Sequence, residues 1–151
     1  MKLAEALQER ADLNRKIEQL RERLSNNVVV QEGEKTPEDP DELLRELNAA
    51  IVRLEELMAR INQTNCETAD EGTSLMALIA RRDALRLRAR CYRDVVSGAS
   101  GIAHRAARTE IKILPAVDVR KLQKEADAIA QELRKTDNRI QELNWKTELM
   151  E

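Results

Sequence analysis

The sequence predicts a mainly α protein, an up-down bundle of two long helical hairpins with a small two-stranded β-ribbon at one end. Three observations carry this expectation. Apolar residues recur at alternating three- and four-residue steps through four stretches of the chain, the spacing that lines up one face of a packed helix. Of the 151 residues 36% are charged, 42% hydrophobic and only 1% aromatic, with four glycines, a composition of long exposed helices. Arg60-Ile61 followed by Asn65 and Thr68 returns as Arg139-Ile140 followed by Asn144 and Thr147, and Leu3, Arg10, Leu13, Arg21 and Glu22 are echoed by Leu75, Arg82, Leu85, Arg93 and Asp94. One hairpin plan is used twice. The length suits a single domain, 1–151, with one hairpin over 1–68 and the other over 73–151.

The first helix is expected from about Lys2 to Asn26, its seam formed by Leu13, Ile17, Leu20 and Leu24; extended backwards, the seam meets Arg10. Ser25-Asn26-Asn27 stops it, and the β-branched run Val28-Val29-Val30 before Gly33 predicts a strand. Asp39 then suits an N-cap, Pro40 the first helical position and Glu42 a capping box. The second helix, about Pro40 to Asn65, carries Leu44, Leu47, Ile51, Leu54, Met58, Ile61 and Asn65 as its seam, widened by Leu43, Ala50 and Leu57. That width suits a bundle rather than a bare two-stranded coil. After the acidic turn Glu67 to Gly72, Thr73 or Ser74 caps a third helix with Leu75, Leu78, Arg82, Leu85, Ala89, Tyr92 and Val96 on its seam. Ser97 to Gly101 ends it.

Thr109 to Leu114 alternates as a second strand would and stops at Pro115. Asp118 caps the fourth helix, whose seam runs through Val119, Leu122, Ala126, Ile129, Leu133, Thr136, Ile140 and Leu143. The two strand-bearing connections fall at one end of an up-down bundle and pair there. Two strands alone are marginal in water, so the ribbon rests on the helices or joins a second subunit, the expected contact of a homo-oligomer.

Net charge −2 and pI 5.7 argue against a dominant nucleic-acid or anionic-membrane partner. With no Phe, one Trp and one Tyr the chain has no repeated stacking platform for single-stranded nucleic acid. The start, Met1-Lys2-Leu3-Ala4-Glu5, lacks the apolar stretch of a signal peptide. The longest apolar run, Leu75 to Ala80, is far short of the ~20 residues that span a bilayer. Cys66 and Cys91 fall roughly 25 Å apart along the helix axis at 1.5 Å per residue, too far for a disulfide, and two thiols suit a reducing cytoplasm. His104 stands alone, with no metal-ligand spacing or catalytic triad around it, and no glycine-rich phosphate loop follows a strand. No enzyme activity, cofactor or metal is expected.

Two constellations merit a functional reading. Arg10 and Arg82 on the seams, with Asn62, Asn65 and Asn144 closing the second and fourth helices and Cys66 and Trp145 near them, form a polar cluster whose paired guanidiniums suit an anion. The plainer reading pairs those arginines with Asp12, Asp83, Glu55 or Glu56. Arg86, Arg90 and Arg93 follow the third helix at helical spacing, and Arg105 and Arg108 continue the basic patch, a pattern suited to phosphates of a nucleic acid. The plainer reading is a solvated face neutralised by Glu125, Asp127, Glu132 and Asp137.

Read together, Met1 to Leu7, Val30-Gln31-Glu32-Gly33-Glu34, Glu38-Asp39-Pro40, Arg60 to Asn65, Arg81-Arg82-Asp83-Ala84-Leu85, Asp118-Val119 with Leu122-Gln123-Lys124, and Arg139 to Trp145 resemble an uncharacterised family of small bacterial proteins. Some of its members carry the label septicolysin. The resemblance covers essentially the whole chain, and the label implies a membrane-active, pore-forming toxin. The residues themselves point instead to a cytoplasmic helical-bundle protein acting as a homo-oligomeric structural or protein-interaction module. A nucleic-acid-binding helical arm is the first alternative and the septicolysin-like toxin the second.

Overall fold

The computed structural model describes residues 1–101 and 111–151. Among these are four long helices, α1 (Leu3–Asn27), α2 (Pro40–Glu67), α3 (Leu75–Ser100) and α4 (Val119–Lys146), with two short strands, β1 (Ala69–Asp70) and β2 (Thr73–Ser74), between α2 and α3. The fold is the mainly α arrangement of helical hairpins with a small two-stranded sheet that the periodicity predicts.

Helix starts follow their capping residues. Asp39 accepts the Asp41 N–H at 2.9 Å ahead of Pro40, Ser74 Oγ accepts from Ala77 N at 3.2 Å, and Asp118 Oδ1 accepts from Lys121 N at 3.1 Å. Each satisfies a donor that the first helical turn leaves orphaned. Glu42 does not complete a capping box; its carboxylate lies 3.8 Å from Arg45. α3 runs through Gly98 and stops at Gly101, whose N–H donates to Ser97 O at 3.1 Å.

The strands are not where β-propensity places them. Val28, Val29 and Val30 are exposed and irregular, and the chain turns at Gln31 to Glu34, with Gly33 at φ +83°. Ile111 and Leu114 are likewise exposed and outside any strand. A strand needs a ladder partner, and Val28 to Val30 have none among the described residues; of the second run, Thr109 and Glu110 lie outside them. The sheet instead forms around Glu71-Gly72, both at positive φ (48° and 80°). Two consecutive left-handed residues are what a two-residue hairpin turn requires, and the glycine supplies one of them without steric cost.

The chain divides into two compact units, Met1–Asp70 with Leu143–Glu151, and Glu71–Glu142. In the first, α1 and α2 lie antiparallel. Leu20, Leu24 and Leu43 form a buried cluster with Leu47 against it, and the Arg53 guanidinium reaches across to Glu9, its Nε 2.7 Å from one carboxylate oxygen. The α1 seam is Leu3, Ala6, Arg10, Leu13, Ile17, Leu20, Leu24 and Asn27, all buried or half-buried. That of α2 is Leu43, Leu47, Ala50, Leu54, Leu57, Ile61 and Thr64. This corrects the expected α2 seam at every other step: Leu44, Ile51 and Met58, one position on, are 45%, 44% and 45% exposed.

In the second unit α3 and α4 are joined side by side by ion pairs of Arg81 with Glu132 and of Arg86 with Asp137. The α3 seam, Leu75, Leu78, Arg82, Leu85, Ala89, Tyr92 and Val96, is buried or half-buried throughout, as is the α4 seam from Val119 to Ile140. Each α3 seam position lies 72 places after its α1 counterpart, as Arg82 does after Arg10, and α4 positions lie 79 places after those of α2, as Ile140 does after Ile61. The repeat seen in sequence is therefore a repeat of packing position.

Candidate functional site

In the first unit the residues after α4 tie down both helices of the α1–α2 hairpin. Leu3 N–H donates to Thr147 O at 2.9 Å and Leu149 N–H to Met1 O at 2.8 Å, while Lys2 Nζ lies 2.6 Å from Glu148 Oε1. Thr64, fully buried, donates its hydroxyl to Arg60 O at 2.7 Å and accepts the Met150 N–H at 3.0 Å. Arg60 Nε donates to Met150 O at 2.7 Å. Lys2 and the terminal amine together hold the Glu148 carboxyl below the usual carboxylate range. A buried hydroxyl with both its donor and acceptor roles filled is a structural joint.

The expected polar residues are distributed as follows. Arg10, Asn62, Asn65 and Asn144 belong to the first unit and Arg82 to the second. Asn144 is buried, Asn65 half-buried and Asn62 exposed. Arg82 donates from Nε and Nη2 to Asp83 Oδ1 at 3.0 and 2.9 Å. Arg10, on the equivalent seam position, is half-buried and makes no ion pair among the described residues; Ala11 stands where Asp83 stands in the repeat. Cys66 and Cys91 are both exposed and form no disulfide.

On α3, Arg86 lies 3.3 Å from Asp137 and 3.9 Å from Asp83, so its charge is compensated by α4 and by its own helix. Arg90 and Arg93 are exposed and make no ion pair among the described residues. His104, Arg105 and Arg108 lie outside the described residues. A groove of about 400 Å³ in the first unit is lined by Ala4, Glu5, Gln8, Glu9, Asp12 and the 63%-exposed Trp145. Those carboxylates are engaged by the Lys2 N–H, by Arg53, and by Gln8 and Arg15 respectively. Among the described residues no group of His, Cys, Asp and Glu is placed to hold a metal ion, and no helix is long and apolar enough to cross a membrane.

The feature that sequence reasoning misplaced is the outer face of α2. Leu44, Ile51 and Met58 repeat every seven residues, the spacing that keeps side chains in one row along a helix. Leu47, Leu54 and Ile61 lie between this row and the buried Leu43, Ala50 and Leu57. α2 thus carries apolar surface for two helical neighbours and uses one part of it against α1. The two sides of the helix also differ in charge. Toward α1, Arg53 is bound to Glu9 and Glu56, which hold its pKa well above the ordinary arginine value, and Arg60 lies near Glu56. Beyond the exposed row, Asp41, Asn48, Glu55 and Asn62 are exposed, and their side chains have no hydrogen-bond partner among the described residues.

The sequence signature of a family of unknown function (DUF6847) matches residues 10–149. The chain is also similar to a crystal structure of a functionally unknown conserved protein from Corynebacterium diphtheriae, with 39% identity over 99% of each chain and a TM-score of 0.94. No curated protein matches the chain in sequence.

Proposed function

We propose that this chain, which belongs to the family of unknown function DUF6847, is a self-associating structural or interaction module of the cytoplasm. The observation that supports this reading is the row Leu44, Ile51 and Met58, apolar, in heptad register and about half exposed. Fully burying such a side chain is worth about 1.5–3 kcal/mol, so covering the exposed half of each contributes about 1 kcal/mol. Two copies present six such side chains, or about 6 kcal/mol before the cost of association. Against an association cost of about 4 kcal/mol or more, the row alone leaves at most about 2 kcal/mol, so an oligomer that forms by millimolar concentration, where about 4 kcal/mol is needed, draws also on the contacts flanking the row. Sedimentation equilibrium tests it: the mass should rise with concentration from 17.3 kDa toward a discrete multiple, and Ile51→Glu should hold it at 17.3 kDa. A wild-type mass constant at the monomer value up to millimolar concentration would reject it.

A second reading, a nucleic-acid-binding arm, is favoured by two exposed arginines of α3, Arg90 and Arg93, that have no ion-pair partner among the described residues. It requires RNA or DNA binding that weakens steeply with salt and disappears in Arg90→Glu/Arg93→Glu.

A further inference from the structure

We infer that the occupant of the α2 row is α2 of a second copy, running antiparallel, with Ile51 of each copy on the twofold axis. The inference rests on the self-association proposed above and adds its geometry. Leu44 and Met58 are each seven residues from Ile51, so the row is symmetric in position about its middle residue. An antiparallel pair sets Ile51 on its own copy and Leu44 against Met58, one self-complementary strip, as a twofold interface requires.

The flanking polar residues decide between this and the parallel alternative. The outer flank reads Asp41, Asn48, Glu55, Asn62 at steps of seven. Antiparallel about Ile51, Asn48 comes beside Glu55 of the other copy, and Asp41 beside Asn62. Each contact is then a carboxylate accepting from a side-chain amide. In a parallel pair the twofold axis runs along the helices and sets this flank against the opposite, apolar flank of the other copy, the side of Leu47, Leu54 and Ile61, so Asp41 and Glu55 gain no amide partner there. Among the described residues these four side chains have no hydrogen-bond or ion-pair partner, whereas the opposite flank has its ion pairs.

The test is directed cross-linking in full-length protein carrying Cys66→Ser and Cys91→Ser. In this background Ile51→Cys should be converted to a disulfide-linked dimer under mild oxidation. Leu44→Cys alone should stay monomeric, because the two copies of position 44 lie 14 residues, about 21 Å, apart along the axis. Mixing Leu44→Cys with Met58→Cys should restore the cross-link. Self-cross-linking of Leu44→Cys as readily as Ile51→Cys would overturn the antiparallel register. So would a mass that falls on Ile51→Glu while none of the cysteine variants cross-links; the self-association reading would then survive and only its geometry fail. A wild-type chain monomeric at all concentrations would remove both. Far-UV circular dichroism confirms that the variants fold, since all three positions are about half exposed.

Discussion

Leu57 and Met58 are neighbours in sequence and large apolar residues of one helix, yet 0% and 45% exposed. Replacing each with alanine therefore separates packing within the hairpin from the exposed row. Leu57→Ala removes a fully buried side chain from between α1 and α2. Such truncations cost about 2–5 kcal/mol, the upper part of the range applying where the site cannot collapse. A value near 3 kcal/mol is expected here, because the seam is held at a fixed spacing by the Arg53–Glu9 pair. Met58→Ala loses only the packed half of a side chain, and about 1 kcal/mol is expected. With a urea m-value near 2 kcal/mol per molar, the unfolding midpoint should fall by about 1.5 M for Leu57→Ala and about 0.5 M for Met58→Ala. The assay is urea unfolding followed by far-UV circular dichroism at low micromolar concentration, where weak association is negligible. Repeated at high concentration, the Met58→Ala deficit should grow and the Leu57→Ala deficit should not. Equal deficits at low concentration, or a larger one for Met58→Ala, would refute the packing phase assigned to α2.

Other expectations follow from single contacts. Thr64→Val keeps the shape of a fully buried residue but leaves the Met150 N–H without its acceptor, so stability should drop by about 1–3 kcal/mol and hydrogen exchange at Met150 should accelerate; unchanged exchange would contradict the joint. Asn27, 4% exposed, donates to Arg23 O at 2.8 Å and accepts the Glu38 N–H at 3.0 Å, so Asn27→Ala should cost about 1–3 kcal/mol and be read in the same urea assay. The Glu38 carboxyl is held below its usual range chiefly by hydrogen bonds from Arg23. Because its folded pKa is lowered, the stabilisation is fully present above the unfolded glutamate pKa and is lost as pH falls through the folded value. By NMR titration, Arg23→Gln should raise the Glu38 midpoint toward the ordinary value, and an unmoved midpoint would deny the pair any effect in solution.

Three of the four helical seams were legible because in each the large apolar residues at three- and four-residue steps follow mainly one row. In α1, α3 and α4 the expected residues occupy the buried face, although α3 also carries the exposed Met76, Leu87 and Val95 on another face. α2 carries two rows, Leu43, Ala50 and Leu57 beside Leu44, Ile51 and Met58, both completed by Leu47, Leu54 and Ile61. Periodicity gives their spacing but not which row meets α1. The choice is made by the partner helix, and the charge flanking each row was the available signal: Arg53 and Arg60 on one side, Asp41, Asn48, Glu55 and Asn62 on the other. The valine run was misread because propensity describes a strand and says nothing of whether a second strand reaches it. The observed strands are two residues each, too short for any alternation, and only Gly72 in the turn marked them. The tie between the C-terminal residues and Thr64 has no sequence pattern at all, since it depends on backbone groups of residues distant in the chain.

The most direct test of the self-association reading is the solution mass of the wild-type chain beside that of Ile51→Glu, by sedimentation equilibrium from low micromolar to millimolar concentration. A wild-type mass that climbs from 17.3 kDa toward a discrete multiple, with the variant remaining at 17.3 kDa and equally helical, is the expected result. Wild type and variant both staying monomeric across the range, or both climbing alike, would contradict the role assigned to the exposed face of α2.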